Sequence, residues 1–486
     1  MFRIYFPLLL LFTTSLTSYA QSKLQSAINA FSKDPALKHA GLGISVIDVN
    51  ANQEIAQFES QRSLVPASSL KVLTTASALA MLGNDFRFKT ELQYIGSIDA
   101  NGQLNGDLII KGNGDPCLGS PDMEGTLDME GVLNAFSMSL QQKGIRKITG
   151  NIIGDASYFG TAVNGKSWQW NDLGNYYGAG SWGLNFHDNL YYLRFQQTSQ
   201  LGAMPRIALI EPEIGELRFT NEVTSAPAGS GDNVYIYGAP YTYERFARGT
   251  IPVGRSLFTV KGSIPDPPLF AAQSLAERLK NAGIISEKGP TSDRLLGVPL
   301  NGSRQLLFSH SSPPLKDIVV RTNIKSVNLY CETLLRTIGK EKGEEGTVEK
   351  GIAAIRSFWE SRGLSFDGVL LEDGSGLSSK NVVTTNFMAQ LMRKVAKDDK
   401  IYQAFSASLP VAGESGGMTY TLRGSPAAGK IRAKTGTLSN VRSLTGYVET
   451  KSGRLLAFCI IANNYTGSGA QIRKKMEKVL LAMWEL

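Results

Sequence analysis

Residues 41–58, GLGISVIDVNANQEIAQF, alternate apolar and polar positions on either side of an Asn-rich turn, which predicts a β-hairpin. The next stretch, LVPASSLKVLTTASALAML (64–82), is apolar on every face and predicts a buried helix entered just after Pro66. Near the far end, SLTGYVETKSGRLLAFCIIAN (443–463) predicts two more strands around Lys451-Ser452-Gly453. The closing AQIRKKMEKVLLAMWEL is amphipathic at helical period. The two ends are alike in style, as parts of one α/β layer structure.

The middle has a different pattern. Residues 90–165 read as short strands with Gly and Asp turns, GQLNGDLIIKGNGDP and ITGNIIGDASYF among them, around one helix near 128–143. Residues 188–262 are rich in Pro, Gly and Tyr and read as a small all-β segment, and PPLFAAQSLAERLKNAGI then leads back as a helix. The economical organisation is nested. An α/β domain over 21–88 and 290–486 is interrupted by an inserted domain over 89–187 and 248–289, which itself carries a small β domain over 188–247. No internal repeat or low-complexity run stands out.

A length of 486 residues suits two or three domains. The first twenty residues, MFRIYFPLLLLFTTSLTSYA, hold one charge, an apolar run and a small-residue ending, the pattern of a secretory signal peptide cleaved after Ala20. That pattern predicts a mature protein outside the cytoplasm. Removing Arg3 lowers the formal charge of +8 to +7, a mild basic excess that does not indicate nucleic-acid binding. It fits peripheral work near anionic envelope polymers. Cys117, Cys331 and Cys459 form neither a zinc pattern nor a disulfide framework, although one pair could still form. Only His39, His187 and His310 exist, and a Ser-His-Asp hydrolase would need one of them; a structural role suits all three better.

Three short motifs carry chemistry. Ser68 and Lys71 stand three residues apart, a spacing that puts hydroxyl and ammonium on one helix face. A lysine made neutral by burial and a neighbouring cation can activate a serine nucleophile. Ser326-Val327-Asn328 opens another helical stretch, and alone it would be an N-cap with a solvated neighbour. Lys434-Thr435-Gly436-Thr437 lies just before a strand pair, and alone it would be a turn. Each motif is weak by itself. In this order, on a helix start, a helix-adjacent loop and a strand edge, they are the three elements of serine β-lactamases and penicillin-binding proteins.

The resemblance extends further. PASSLKVLTTASALAMLG, GDLIIKGNGDP, GNIIGDASYF, SSPPLKDIVVRTNIKSVNLYCETLL, LEDGSGLS, LPVAGESGGM and IRAKTGTLSNVRSLTGYV resemble the class C low-molecular-mass penicillin-binding proteins. These are D-alanyl-D-alanine carboxypeptidases and endopeptidases of the DacB type. The resemblance implies a serine β-lactamase/DD-peptidase-like α/β fold, an antiparallel sheet flanked by helices, with mostly β domains inserted between the first and second motifs. It implies Ser68 as the acylated nucleophile, Lys71 as its base, Ser326 as proton relay and Asn328 as holder of the substrate amide. Lys434 would attract the terminal carboxylate, with Thr435 and Gly436 on the same substrate-binding strand, and the N–H groups of Ser68 and Thr437 would form an oxyanion hole. Asp155 in GDASYF matches an acid that some relatives project toward the substrate's amine.

The implied substrates are peptidoglycan stem peptides, with β-lactams as covalent inhibitors and without metal or organic cofactor. Ser379, followed by Lys380, stands where the family often has arginine, which leaves the stem-peptide preference open. The rivals are a β-lactamase, which would differ by fast deacylation, and a non-catalytic wall-binding protein on the same scaffold. Three look-alikes are set aside: EGVLN (130–134) as a surface helix, GAGSWG (178–183) as a loop, and DANGQLNGD (99–107) as a hairpin turn.

Overall fold

The computed structural model describes residues 22–486; the signal-peptide reading of residues 1–20 lies outside them. No described helix is long and apolar enough to cross a membrane. The chain forms two compact units. The first holds the described residues up to Asn84 together with Val319–Val327 and Ile352–Leu486, and the second holds Asp85–Ile318 and Asn328–Gly351.

The first unit is built on a five-stranded antiparallel sheet in the order Ile431–Leu438, Val441–Glu449, Leu455–Asn463, Gly41–Asp48, Gln53–Phe58. Gly41–Asp48 is buried at every position because both sheet faces are covered. Leu42, Ile44 and Val46 share one core with Leu456, Phe458 and Ile460, and with Ile472, Met476, Val479 and Leu480 of the closing helix Gly469–Trp484. A helix over 22–32 adds Leu24, Ile28 and Phe31 to the same core. The helix Thr385–Ala396 packs on the central strands, and Tyr447 donates its hydroxyl proton to the Met392 carbonyl (2.7 Å). The predicted hairpin of 41–58 is present, its turn tied by Asp48 accepting from the Asn50 and Ala51 N–H groups.

The stretch that follows is the helix Lys71–Leu82, with its first nine residues buried, as an all-round apolar composition requires. Ser68 is not in the α-helix itself. It lies in a 3₁₀ turn, Ala67–Leu70, entered by Ala67 in the left-handed region (φ +47°).

The second unit has a large mixed sheet whose spine is Gln103–Gly112, paired antiparallel with Lys89–Ile98 and parallel with Asn151–Asp155. The helices Met129–Gln142 and Pro267–Asn281 supply Val132, Phe136, Phe270 and Leu275 to its core. Glu130 and Asn134 of EGVLN grip Arg278 of the other helix, a surface clasp. Two three-stranded sheets complete the unit. One is ordered Leu257–Ser263, Leu190–Gln196, Arg206–Glu211; the other is ordered Asn233–Tyr237, Glu244–Pro252, Arg218–Ala226.

Asp155, expected to project toward a substrate amine, is fully buried at the end of its strand. Its carboxylate accepts from Lys111 (3.2 Å) and Arg304 (2.8 Å) and from the Ser157 N–H (3.0 Å), so it staples neighbouring strands of the large sheet. Burial alone would raise its pKa; Lys111, Ser157 and Arg304 outweigh that and hold it below the ordinary value. A depressed carboxylate contributes stability above its unfolded pKa of about 3.9, and loses it as pH falls through the lower folded value. Asp155→Asn is therefore expected to cost about 2–3 kcal/mol at pH 7, because two partly buried cations lose their anion. In urea titrations that deficit should shrink to nothing as the pH drops well below 4.

Candidate active site

The first unit holds four of the residues singled out by motif, Ser68, Lys71, Ser326 and Lys434, and joins them in two pairs. Lys71 is fully buried, and its Nζ lies 3.0 Å from Ser68 Oγ, so the three-residue spacing does join the two groups across the step from 3₁₀ turn to α-helix. The same Nζ donates to the carbonyl of Ser375 (2.7 Å). Ser69 is turned away: its hydroxyl donates to the Pro66 carbonyl (2.8 Å) inside the protein.

Ser326 follows the helix Leu315–Lys325 and precedes the helix Asn328–Gly343. Its φ of +59° breaks what would otherwise be one helix, a conformation that costs a non-glycine residue about 1–3 kcal/mol. What this geometry achieves is a contact with Lys434, whose Nζ is 2.9 Å from Ser326 Oγ and 2.9 Å from the Thr435 carbonyl. Lys434 is 1% exposed, so the site holds a second lysine drawn out of water. Both motif serines thus sit at or just after a left-handed non-glycine residue.

Gly436 is there for approach. A Cβ at this position would overlap the Ser443 hydroxyl and the Pro66 carbonyl and come within 2.8 Å of the Ser69 nitrogen. Only glycine lets the strand Ile431–Leu438 press against the turn that carries Ser68, while Ser443 on the neighbouring strand donates to the Pro66 carbonyl. Gly436→Ala is expected to cost about 2–3 kcal/mol of stability, read by thermal unfolding, and to lower D-Ala release at least ~10-fold through displacement of the serine turn.

Thr435 and Thr437 alternate with Lys434 and Gly436 along the sheet's outer strand, whose edge is paired with 410–412 through Ile431 and Ala433. Thr437 is exposed and its hydroxyl accepts from Arg442 (3.0 Å). Asn328 belongs to the second unit, where its amide donates to the Tyr177 carbonyl (2.8 Å). His187 and His310 are buried in that unit too, and His39 is exposed. All three cysteines are buried thiols, and burial pushes Cys459 up to about 12. Among the described residues no group of three or more His, Cys, Asp or Glu is arranged to hold a metal.

Two contributors escaped sequence reasoning, the carbonyls of Ser375 and Tyr177. Both act through the backbone, so no side chain marks them. The one usable signal was the Asp- and Gly-dense string DGSGLS, which announces a built loop without saying which carbonyl it offers.

Two serines, each against a buried lysine beside an antiparallel sheet with helices on both faces, define a serine β-lactamase/DD-peptidase-like enzyme. The fold is shared with penicillin binding protein 4 (dacB) from Haemophilus influenzae, with a TM-score of 0.80 and 24% identity over 96% of this chain and 99% of that one. That protein has also been solved in complex with a β-lactam. A model of the D-Ala-D-Ala carboxypeptidase 3 (S13) family matches residues 24–483, and the chain belongs to that family. Its relatives include the D-alanyl-D-alanine carboxypeptidase of Actinomadura sp. (strain R39), 30% identical over 92% of this chain and 82% of the relative. Another is the D-alanyl-D-alanine carboxypeptidase DacB of Haemophilus influenzae, 26% identical over 92% and 90%. The chain is a serine-type D-Ala-D-Ala carboxypeptidase.

Proposed function

We propose that the enzyme trims the stem peptides of peptidoglycan through an acyl-enzyme on Ser68, and that the observation carrying this is the buried Lys71 Nζ 3.0 Å from Ser68 Oγ. Complete burial disfavours the charged form of an amine, which is what a proton acceptor requires. Lys71 takes the Ser68 proton as Oγ attacks the carbonyl carbon of the penultimate D-Ala. Negative charge develops on the carbonyl oxygen, and the N–H groups of Ser68 and Thr437 receive it. The C–N bond then breaks, and the departing D-Ala amine takes up the proton that Lys71 accepted, with Ser326 assigned as the relay by its motif. Lys434, with Thr435, supplies the positive end that holds the terminal carboxylate, and Gly436 lets its strand reach the serine turn. Asn328, two residues beyond Ser326, is assigned the substrate amide by its motif. Water hydrolyses the ester and restores Ser68.

The same chemistry at a D-Ala cross-link is endopeptidase action, and we propose it as a second activity of the same site. A β-lactam would acylate Ser68 by ring opening and stop the cycle there. The work is assigned to the periplasm, with envelope polymers as the partners. For Asp155 the reading we favour is the sheet staple, since binding an amine would require it to give up Lys111 and Arg304.

The test is to incubate the purified protein with a fluorescent penicillin and map the adduct by mass, in parallel with D-Ala release from a muropeptide. A stable adduct on the peptide containing Ser68, with D-Ala released, is expected. Rapid turnover of the penicillin would identify a β-lactamase instead. No adduct and no release would identify a wall-binding protein.

A further inference from the structure

Residues 372–381, EDGSGLSSKN, form neither helix nor strand, yet side chains fasten this loop along its length. Its neck is closed by reciprocal Leu370 and Val382 backbone bonds of 2.9 Å each. Asp373 is 2% exposed; one carboxylate oxygen accepts from the Gly376 N–H (2.7 Å) and Asn381 Nδ2 (2.8 Å), the other from the Ser378 N–H (2.7 Å). Asn381 is fully buried; its Oδ1 accepts from the Glu372 N–H (2.8 Å), and its Nδ2 also donates to the Ser378 carbonyl (3.0 Å). From the serine–lysine helix, Thr74 donates its hydroxyl to the Gly374 carbonyl (2.8 Å). Gly376 has φ +78° and no room for a Cβ against the Ala67 carbonyl, so the loop lies directly on the turn that carries Ser68.

All of these bonds surround one group, the Ser375 carbonyl, which accepts from Lys71 Nζ at 2.7 Å in a buried setting. A neutral lysine amine has two N–H bonds and one lone pair, and only the lone pair can take a proton from Ser68. The amine rotates about its last carbon–nitrogen bond unless its hydrogens are held. A fixed carbonyl on one N–H restricts that rotation and leaves the lone pair to face Ser68 Oγ, 3.0 Å away. After proton transfer the same carbonyl receives a charge-assisted bond from the ammonium, which stabilises the state that forms as the serine attacks. The carbonyl therefore serves both protonation states, provided that it does not move.

We propose that Asp373 and Asn381 are positioning residues for acyl transfer, acting by holding the Ser375 carbonyl against Lys71. This rests on Lys71 being the proton acceptor for Ser68. Both side chains are buried within the loop, so the expected effect falls on the acylation step and leaves substrate binding alone. Burying an ionised carboxylate is expensive, and here three N–H donors satisfy it.

The experiment is stopped-flow acylation of the full-length protein by a fluorescent penicillin, with the initial dissociation constant, the acylation rate constant and the burst amplitude resolved separately. The amplitude counts active enzyme, so a folding defect lowers it without changing the rate constant of the folded fraction. Asp373→Ala is expected to slow acylation roughly 100-fold, and Asp373→Asn and Asn381→Ala about 10-fold each, with the dissociation constant unchanged within about twofold. A parental rate constant at reduced amplitude would overturn the proposal, because the loop would then serve folding alone. A raised dissociation constant at parental rate would overturn it too, since the loop would then shape the substrate site. Should Asp373→Ala fail to fold, the two milder variants decide by the same criteria. Lys71→Ala in the same assay separates the two readings. Parental acylation there removes the role of Lys71 and this proposal with it, whereas an inert Lys71→Ala beside fast Asp373 variants removes only the positioning role.

Discussion

Ser68→Ala is expected to eliminate covalent labelling by penicillin and to cut D-Ala release on the order of 10⁵- to 10⁶-fold, whereas Ser69→Ala labels at a rate within a few-fold of the parent. The two serines are adjacent, and composition cannot tell them apart. Their surroundings can: Ser68 Oγ faces Lys71 Nζ, and Ser69 spends its hydroxyl on the Pro66 carbonyl. Labelling rates and adduct masses of both variants check the assignment. Loss of labelling in Ser69→Ala with retention in Ser68→Ala would reverse it. A milder loss in both would mean that the turn, and not one hydroxyl, is what matters.

The largest expected effect on stability lies in the second unit. Arg336 is 2% exposed and donates to the carbonyls of Ser181 (2.5 Å), Gly346 (2.9 Å) and Gly160 (2.9 Å), with its guanidinium over the Phe159 ring. Burial draws its pKa down to about 10, with Glu332 the strongest opposing influence, so it is cationic at neutral pH. The planar fork reaches three carbonyls from separate segments at once, which a lysine cannot do. Arg336→Met is expected to destabilise the second unit by about 3–5 kcal/mol, through three carbonyls left buried without a donor. Arg336→Lys should recover little of it. Urea titration followed by tryptophan fluorescence reads both, and a loss under about 1 kcal/mol would show that water replaces the fork.

Local pattern announced much of the fold. The hairpin of 41–58, the strand pair of 441–463, the closing helix and the helices near 128–143 and 267–281 all follow from period and turn chemistry. Pairing between distant segments did not. Nothing in GLGISVID says that its neighbour is LLAFCIIAN, more than four hundred positions away, because both are simply apolar and β-prone. The site divides the same way. Ser68, Lys71, Ser326 and Lys434 were legible as motifs, and the structure joins them pairwise, Ser68 with Lys71 and Ser326 with Lys434. The left-handed backbone at Ala67 and Ser326 was not legible, since neither residue type favours it and tertiary contacts impose it. The burial of Asp155 was not legible, because GDASYF carries no sign of the cations that accompany it. Its cations come from positions 111 and 304, which no local pattern connects to it.

Among the described residues, the inner strand Gly41–Asp48 is the first strand in chain order and pairs along its whole length with the last, Leu455–Asn463. During synthesis one edge can pair at once with Gln53–Phe58, whereas the other must wait more than four hundred positions for Leu455–Asn463. A chain ending before Leu455 has no finished sheet to hold the Lys434 strand in its place beside Ser326. Chain order alone therefore delays completion of this sheet until Leu455–Asn463 has been made.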